Sequence, residues 1–542
     1  MYVVQLLLAA FLTATVHCGK PTLSDPLGLY EEEPFRFGIG KDYVAGTVWP
    51  KPQQEARENM YYTLNPDQFT FKLTGKSSDV ITEAIKRYQG LTFPEKEAPA
   101  PGLSLLSSLE VNVQYDYAPM DLTTDESYTL VVNAPTSSLS ANTVWGALRG
   151  LETFSQVVYQ NESGTYFAQK NKIVDFPRFH HRGFLIDSSR HYIAIDIIFQ
   201  FIDALAYSKY NVLHWHVVDD PSFPFVSEKF PSLHLTGAWN NKTHIYTPQD
   251  IQNVVSYANL RGVRVIPEFD TPGHTQSWYS IPNLLTPCYS GGKPNGNLGP
   301  IDPTVESNYA FLEEFFGEVA KVFPDTYLHL GGDEVSFDCW KSNPNIAKWM
   351  QDKGMGKNYS MLEQYYEQRL LDIVGSLKKN YVIWQEVIDN QVKVKADTVV
   401  NVWKGGWQNE MAKVTALGYR SILSSCWYLN YISYGPDWPN YYKCDPQGFN
   451  GTEEQKNLVI GGTACMWGEW VDGTNLIART WGRGLSVGER LWSSKTTTDI
   501  NDATKRIWEH RCRYLRRGIQ AENVVQSEYC RHEWKNYHNS NN

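Results

Sequence analysis

The chain predicts an α/β fold: an irregular (β/α)8 TIM-type barrel, lacking one or two outer helices, preceded by a small α+β domain. Three observations carry this. Eight short apolar, β-branched runs recur after residue 183, amphipathic helical segments lie between several of them, and most runs end in an acid or an aromatic. Strands buried on both faces read as continuous apolar runs, and a barrel of such strands keeps its active site at their C-terminal ends. Acids gathered at those ends are what a catalytic barrel requires.

The elements follow in order. Residues 2–16 form an apolar run too short to span a bilayer comfortably, read as the core of a signal peptide over 1–18. A Pro/Gly/Glu-rich stretch over 20–50 leads into strand-like pieces (Gln68–Leu73, Glu110–Tyr115, Tyr128–Val132) and helical ones (Asp79–Tyr88, Asn142–Tyr159). These make the α+β domain, 19–178, which carries no catalytic constellation. The barrel is expected over 179–510, with a disulfide-clipped tail over 511–542.

Its strands are Gly183–Asp187, Val212–Asp220, Val263–Asp270, Tyr327–Glu334, Tyr381–Glu386, Thr398–Trp403, Arg420–Trp427 and Leu458–Glu469. Helices are expected over Ala194–Tyr207, Thr247–Leu260, Glu306–Val322 and Ser360–Lys378, the second with a Thr cap and Pro in its first turn. Two connections depart from the ideal. Glu386 to Thr398 is too short for a full helix, and Trp427 to Leu458 reads as a Gly/Pro/Tyr-rich loop.

Bulk properties narrow the chemistry. With 542 residues the chain suits two domains, and a formal charge of −10 argues against a nucleic-acid partner. No further segment approaches a membrane span. Sequons at Asn161, Asn241, Asn358 and Asn450 fit a secretory route, lysosomal or extracellular. Of eight cysteines, Cys18 leaves with the signal, so at least one of the other seven stays unpaired within the chain. Cys288 with Cys339, and Cys512 with Cys530, are the preferred disulfides because each staples a loop or tail. Cys426 and Cys465 end strand-like runs and read as buried thiols.

Tyr327-Leu-His-Leu-Gly-Gly-Asp333-Glu334 is the most informative stretch. Glycines let the backbone leave the pleat, and two adjacent carboxylates raise at least one pKa unless a cation or hydrogen bonds relieve them. A proton donor beside an anion suits acetal hydrolysis. The pair His214 and His216 could hold a metal, but their strand runs on to Asp219-Asp220, which places them mid-barrel as hydrogen-bonded core histidines. No metal or other cofactor is expected. Arg190 suits the lip of a polar site, with Asp219 and Asp220 as partners. Trp384, Trp403, Trp427 and Trp467 fall at or near the ends of strands five to eight and suggest a walled pocket for a pyranose ring.

His181–Tyr192, His214–Pro224, Glu268-Phe-Asp-Thr-Pro-Gly-His274, His329–Val335 and Cys465-Met-Trp-Gly-Glu469 together resemble the family 20 β-N-acetylhexosaminidases, in particular their lysosomal α/β type, over about residues 45 to 530. The resemblance implies an exo-acting enzyme that releases terminal GlcNAc or GalNAc from glycans or chitooligosaccharides. Glu334 would be the general acid/base, and the substrate's own 2-acetamido oxygen the nucleophile, giving an oxazolinium and net retention. Asp333 would hold the acetamido N–H and Tyr428 its oxygen. Arg190, Asp219 and Glu469 would grip sugar hydroxyls, Trp384, Trp403 and Trp467 would wall the pocket, and His274 would position the acid. After Tyr428-Leu, relatives that accept negatively charged substrates carry Asn-Arg; this chain has Asn430 but Tyr431. A homodimer is also implied. The alternatives are a silent lectin-like relative, which would not require both Asp333 and Glu334, and a metal-dependent amidohydrolase on the same barrel.

Overall fold

The computed structural model describes residues 45–95, 104–161, 164–526, 528–530 and 533. The expected signal peptide, Cys18 and part of the sequon at Asn161 lie outside them. Eight parallel strands close into a barrel in sequence order: β1 His181–Asp187, β2 Val212–Val218, β3 Arg264–Phe269, β4 Tyr327–His329, β5 Asn380–Trp384, β6 Val399–Val402, β7 Arg420–Leu423 and β8 Val459–Met466. Closure comes from β8 pairing with β1, Gly461 opposite His181 through Met466 opposite Ile186. β1, β2 and β3 are buried at every position. Only a layer of helices outside and side chains inside can do that, so even their polar residues, such as His214, His216 and Glu268, are buried.

Helix α1 (Ile195–Tyr207), α2 (Pro248–Asn259), α3 (Glu306–Val322) and α4 (Tyr359–Ser376) lie where the periodicity placed them. The α2 N-terminus is fixed by a capping box between Thr247 and Asp250. The two departures also hold. Only Glu386–Asp389 is helical between β5 and β6, and two short helices, Trp438–Lys443 and Glu453–Asn457, interrupt the β7–β8 loop. A helix at Trp407–Ala416, which the sequence reading missed, joins β6 to β7. Helix Ile500–Arg516 runs through residue 510, so a boundary placed there cuts a helix.

The N-terminal domain is a seven-stranded sheet that includes Gln54–Leu64 and Tyr166–Asp175, with helices Asp79–Thr92 and Val144–Val157. Every residue of the second helix is buried. Buried ion pairs tie this domain to the barrel. Glu126 accepts from Arg182 at 2.7 Å and Arg149 at 2.8 Å, and Lys209 Nζ reaches Asp175 at 2.9 Å. Such pairs add little net stability but are costly to break singly, about 3–5 kcal/mol, so they fix the docking.

The disulfides Cys288–Cys339 and Cys512–Cys530 are present. Cys426 is not a thiol: it pairs with Cys444. The loop after β7 folds back through the helix Trp438–Lys443 and brings residue 444 to residue 426, a return that local sequence does not reveal. Cys465 is a free, buried thiol.

Candidate active site

After β4 the backbone turns through Gly331 and Gly332, with φ of 68° and 94°. A Cβ on Gly331 would stand 1.7 Å from Asp270 Oδ1, so only glycine fits. Gly332 N–H donates to the same oxygen at 2.7 Å. The turn then delivers two adjacent acids into opposite environments. Asp333 is buried, whereas the Glu334 side chain is 59% exposed. Glu334 itself holds a positive φ of 52°, unusual for a residue with a side chain.

Asp333 does not stand alone. Burial pushes both Asp333 and Asp270 above the usual carboxylate range; the neighbouring Asp333 and Glu268 carboxylates push Asp270 further up, whereas His274 pulls Asp333 back. His274 Nε2 lies 3.8 Å from Asp333 Oδ2 and 3.8 Å from Glu334 Oε2, while its Nδ1 is 3.2 Å from Asp219 Oδ1. Burial opposes charge on His274, but the Asp219 hydrogen bond and the Asp333 carboxylate outweigh it and raise its pKa to about 9. His274 is therefore a cation between Asp219 and the two acids. Asp333 Oδ1 is buried and has no hydrogen-bond partner among the described residues.

Beneath this layer Glu268 is a hub. Its carboxylate lies 2.7 Å from His214 Nε2, 2.9 Å from His216 Nδ1 and 3.4 Å from His329 Nδ1, and accepts from Trp384 Nε1 at 2.7 Å. Burial lowers His216's affinity for a proton, but Glu268 and Asp219 reverse this and push its pKa up to about 10. His214 and His216 thus sit mid-barrel, hydrogen-bonded to carboxylates, as expected from the length of their strand. Glu268, Asp270 and the charge on His216 were missed as site features. Their signal was available: acids inside a strand with no exposed position must be paired.

At the lip, Arg190 Nη1 pairs with Asp187 Oδ2 and Asp219 Oδ2, each at 3.0 Å, and its guanidinium stands 5.2 Å from the Trp467 ring. Burial disfavours its charge, yet Asp187, Asp219 and Glu469 push its pKa up, which places exposed Glu469 in the same field. Leu185, Trp384, Cys465 and Trp467 form one cluster, with Trp403 and Tyr428 packed against it. Trp403 is held by Glu386 Oε2 at 2.9 Å from its Nε1 and lies 6.0 Å from Tyr428, ring centre to ring centre. Tyr431 stacks on Tyr428, also at 6.0 Å. Asn430 Oδ1 is buried without a partner among the described residues. Trp427 does not belong to this cup. It is fully buried in the outer core and donates to Tyr441 O, because its side chain points away from the barrel axis.

His214, Glu268 and His329 offer ligand atoms close enough for one cation. Glu268 is engaged by His214 Nε2 and the Trp384 N–H, whereas His329 Nδ1 accepts from the Gly331 N–H at 3.1 Å and its Nε2 is buried with no hydrogen-bond partner among the described residues.

An exposed acid beside a buried one, within an aromatic cup at the C-terminal mouth of a barrel, suits a glycoside hydrolase site. Comparison with known proteins specifies it further. Residues 179–495 match the catalytic domain of glycosyl hydrolase family 20, and residues 48–157 match a domain described as β-acetyl hexosaminidase like. The chain is 49% identical to β-hexosaminidase subunit alpha of Rattus norvegicus over 511 residues, 91% of this chain and 96% of that protein. It is 49% identical to subunit beta of Homo sapiens over 489 residues, 88% of this chain and 87% of that one. Among solved structures, the chitobiase of Flavobacterium johnsoniae superposes with a TM-score of 0.77 at 29% identity, covering 87% of this chain and 73% of that one. The chain belongs to glycosyl hydrolase family 20 and is a glycoside hydrolase of the β-hexosaminidase type.

Proposed function

We propose that this enzyme releases terminal, non-reducing GlcNAc or GalNAc from glycoconjugates or chitooligosaccharides by a retaining, substrate-assisted reaction. The observation that carries this is the free acceptor of Asp333. A buried carboxylate oxygen without a donor is costly, and an acetamido N–H supplies the missing donor. Asp333 then stabilises the positive charge that develops as the acetamido oxygen attacks the anomeric carbon. Tyr428, packed against the aromatic cup, would hold that oxygen. Exposed Glu334 can reach the glycosidic oxygen, protonate it, and later take a proton from water. Cationic His274 lies close enough to both acids to hold them in place. Arg190, Asp219 and Glu469 grip the sugar hydroxyls, while Trp384, Trp403 and Trp467 cover the ring faces.

The test compares an aryl N-acetyl-β-glucosaminide with the matching glucoside that lacks the acetamido group. Turnover of the first alone is expected; comparable turnover of both would sink the mechanism.

We further propose that the protein works in the secretory pathway, in a lysosome or outside the cell. Three disulfides and exposed Asn241, Asn358 and Asn450 support this, since disulfides persist in oxidising compartments. A homodimer is proposed on the same footing. The exposed Tyr431, Ile432, Tyr434 and Trp470 form an apolar rim suited to a partner. Sedimentation at the mass of one chain would overturn the dimer.

A further inference from the structure

Helix α4 buries Leu362, Leu370, Leu371 and Val374 on one face, and it puts Glu363 and Glu367 in the same stripe. Acids on the apolar face of a helix break the pattern that folds it, and such breaks gather at functional sites. Glu367 is fully buried, and neither of its carboxyl oxygens has a hydrogen-bond partner among the described residues. It stands directly behind the catalytic turn. A Cβ on Gly332 would lie 3.4 Å from Glu367 Oε1 and 2.5 Å from Val387 Cγ2, so Glu367 and Val387 together form the wall against which Gly332 rests. Asp333 is the next residue.

The charges that face Glu367 are Glu363 of its own helix and Asp333 of the turn, and its neighbour Tyr366 is the other titratable group beside it. Glu386, which acts on Glu363, is tied to Lys404 at 2.8 Å. No cation faces Glu367 from any of these elements among the described residues. An unpaired carboxylate in such a place is strongly disfavoured, so the group keeps its proton. Burial, with Glu363 and Asp333 adding to it, pushes the Glu367 carboxyl well above its ordinary range, and burial pushes Glu363 up to about 7.

We propose that Glu367 is a positioning residue for the catalytic turn: as a neutral acid it seats Gly332 and Asp333, and as an anion it dismantles that seat. The inference rests on the substrate-assisted reading of Asp333. An anion at Glu367 would face Asp333 across the glycine with nothing between to neutralise it. Asp333 would then take up a proton and lose the charge that faces the acetamido N–H, or the turn would move. Either way kcat falls, while the hydroxyl contacts at Arg190 and Asp219 stay in place, so KM changes little. The sign follows from linkage. A carboxyl whose folded pKa is raised stabilises the fold below its unfolded pKa, and that contribution disappears as pH rises through the folded one. The enzyme would be tied to acidic conditions from within its fold.

The experiment measures kcat, KM and melting temperature of the wild type and Glu367→Gln from about pH 4 to about pH 9 with an aryl N-acetyl-β-glucosaminide. Glutamine keeps the shape and cannot ionise. Its kcat at acidic pH should match the wild type, and its alkaline limb should move up. One unit above the wild-type limb, the variant should retain about tenfold more of its acidic kcat, with KM unchanged. Superposable alkaline limbs would overturn the proposal while leaving the reaction assignment intact; absence of turnover by the wild type would overturn both. If the variant does not fold, infrared spectra of the wild type decide. A buried carboxylic-acid band that disappears over the same pH step as kcat supports the proposal, and one that does not change across that step refutes it.

Discussion

Replacing Glu268 by glutamine tests whether the floor of the site is held together by charge. The carboxylate faces three histidines and the Trp384 indole, all within 3.4 Å. Its charge matters most to His216, whose pKa rises from 6.5 to about 10 with Glu268 as the largest favourable cause. At about 1.36 kcal/mol per unit, that shift corresponds to about 5 kcal/mol between the two protonation states. Asp219 supplies part of it, and breaking one partner of a buried pair costs about 3–5 kcal/mol. Because the folded pKa is raised, this stability is fully present below about 6.5 and is lost as pH rises through about 10. At about pH 5 the variant should therefore melt several degrees lower, about 3–8 °C. The gap should narrow as the wild type approaches pH 10. A chain with two domains and disulfides often unfolds irreversibly, so matched scan rates are needed. A melting temperature within about 1 °C of the wild type at pH 5 would refute the charge-hub reasoning.

Asp333→Asn should lower kcat by about 100-fold or more with little change in KM, because it removes charge from the developing transition state; steady-state kinetics on an aryl N-acetyl-β-glucosaminide checks this, and a loss confined to KM would contradict it. Replacing Cys426 and Cys444 together by serine should cost about 3 kcal/mol, the closure entropy of a loop spanning 18 residues, and loosen the segment that carries Tyr428 and Tyr431. Thermal melting and KM read both effects; an unchanged melting temperature would mean the loop is held by packing alone.

Much of the fold was legible because it depends on local pattern. Short apolar runs such as Phe184–Ile186 read as strands covered on both faces, and eight such runs with intervening helices close a barrel. The Gly-Gly-Asp-Glu end of β4 marked the site for a similarly local reason: glycines are needed where the backbone must bend around another side chain, here Asp270. Trp427 shows the limit. The sequence put it at a strand end like Trp384 and Trp403, yet β7 stops at Leu423 and Trp427 follows a turn closed by its N–H on Ser424 O at 2.8 Å, where strand alternation no longer sets which way a side chain faces.

The disulfide at Cys426 and the close approach of Asp270 to Asp333 were out of reach for another reason. Both join residues brought together by the return of a long connection or by strands that meet only in the closed barrel. The sequence alone determined the barrel, the place of its mouth and the two acids at the end of β4. Only the tertiary structure decided which of those acids is buried and which is exposed. Burial, pairing and the field of neighbouring charges are set by what lies across space from a residue, here Asp270, His274 and Glu367, and not by what adjoins it in the chain.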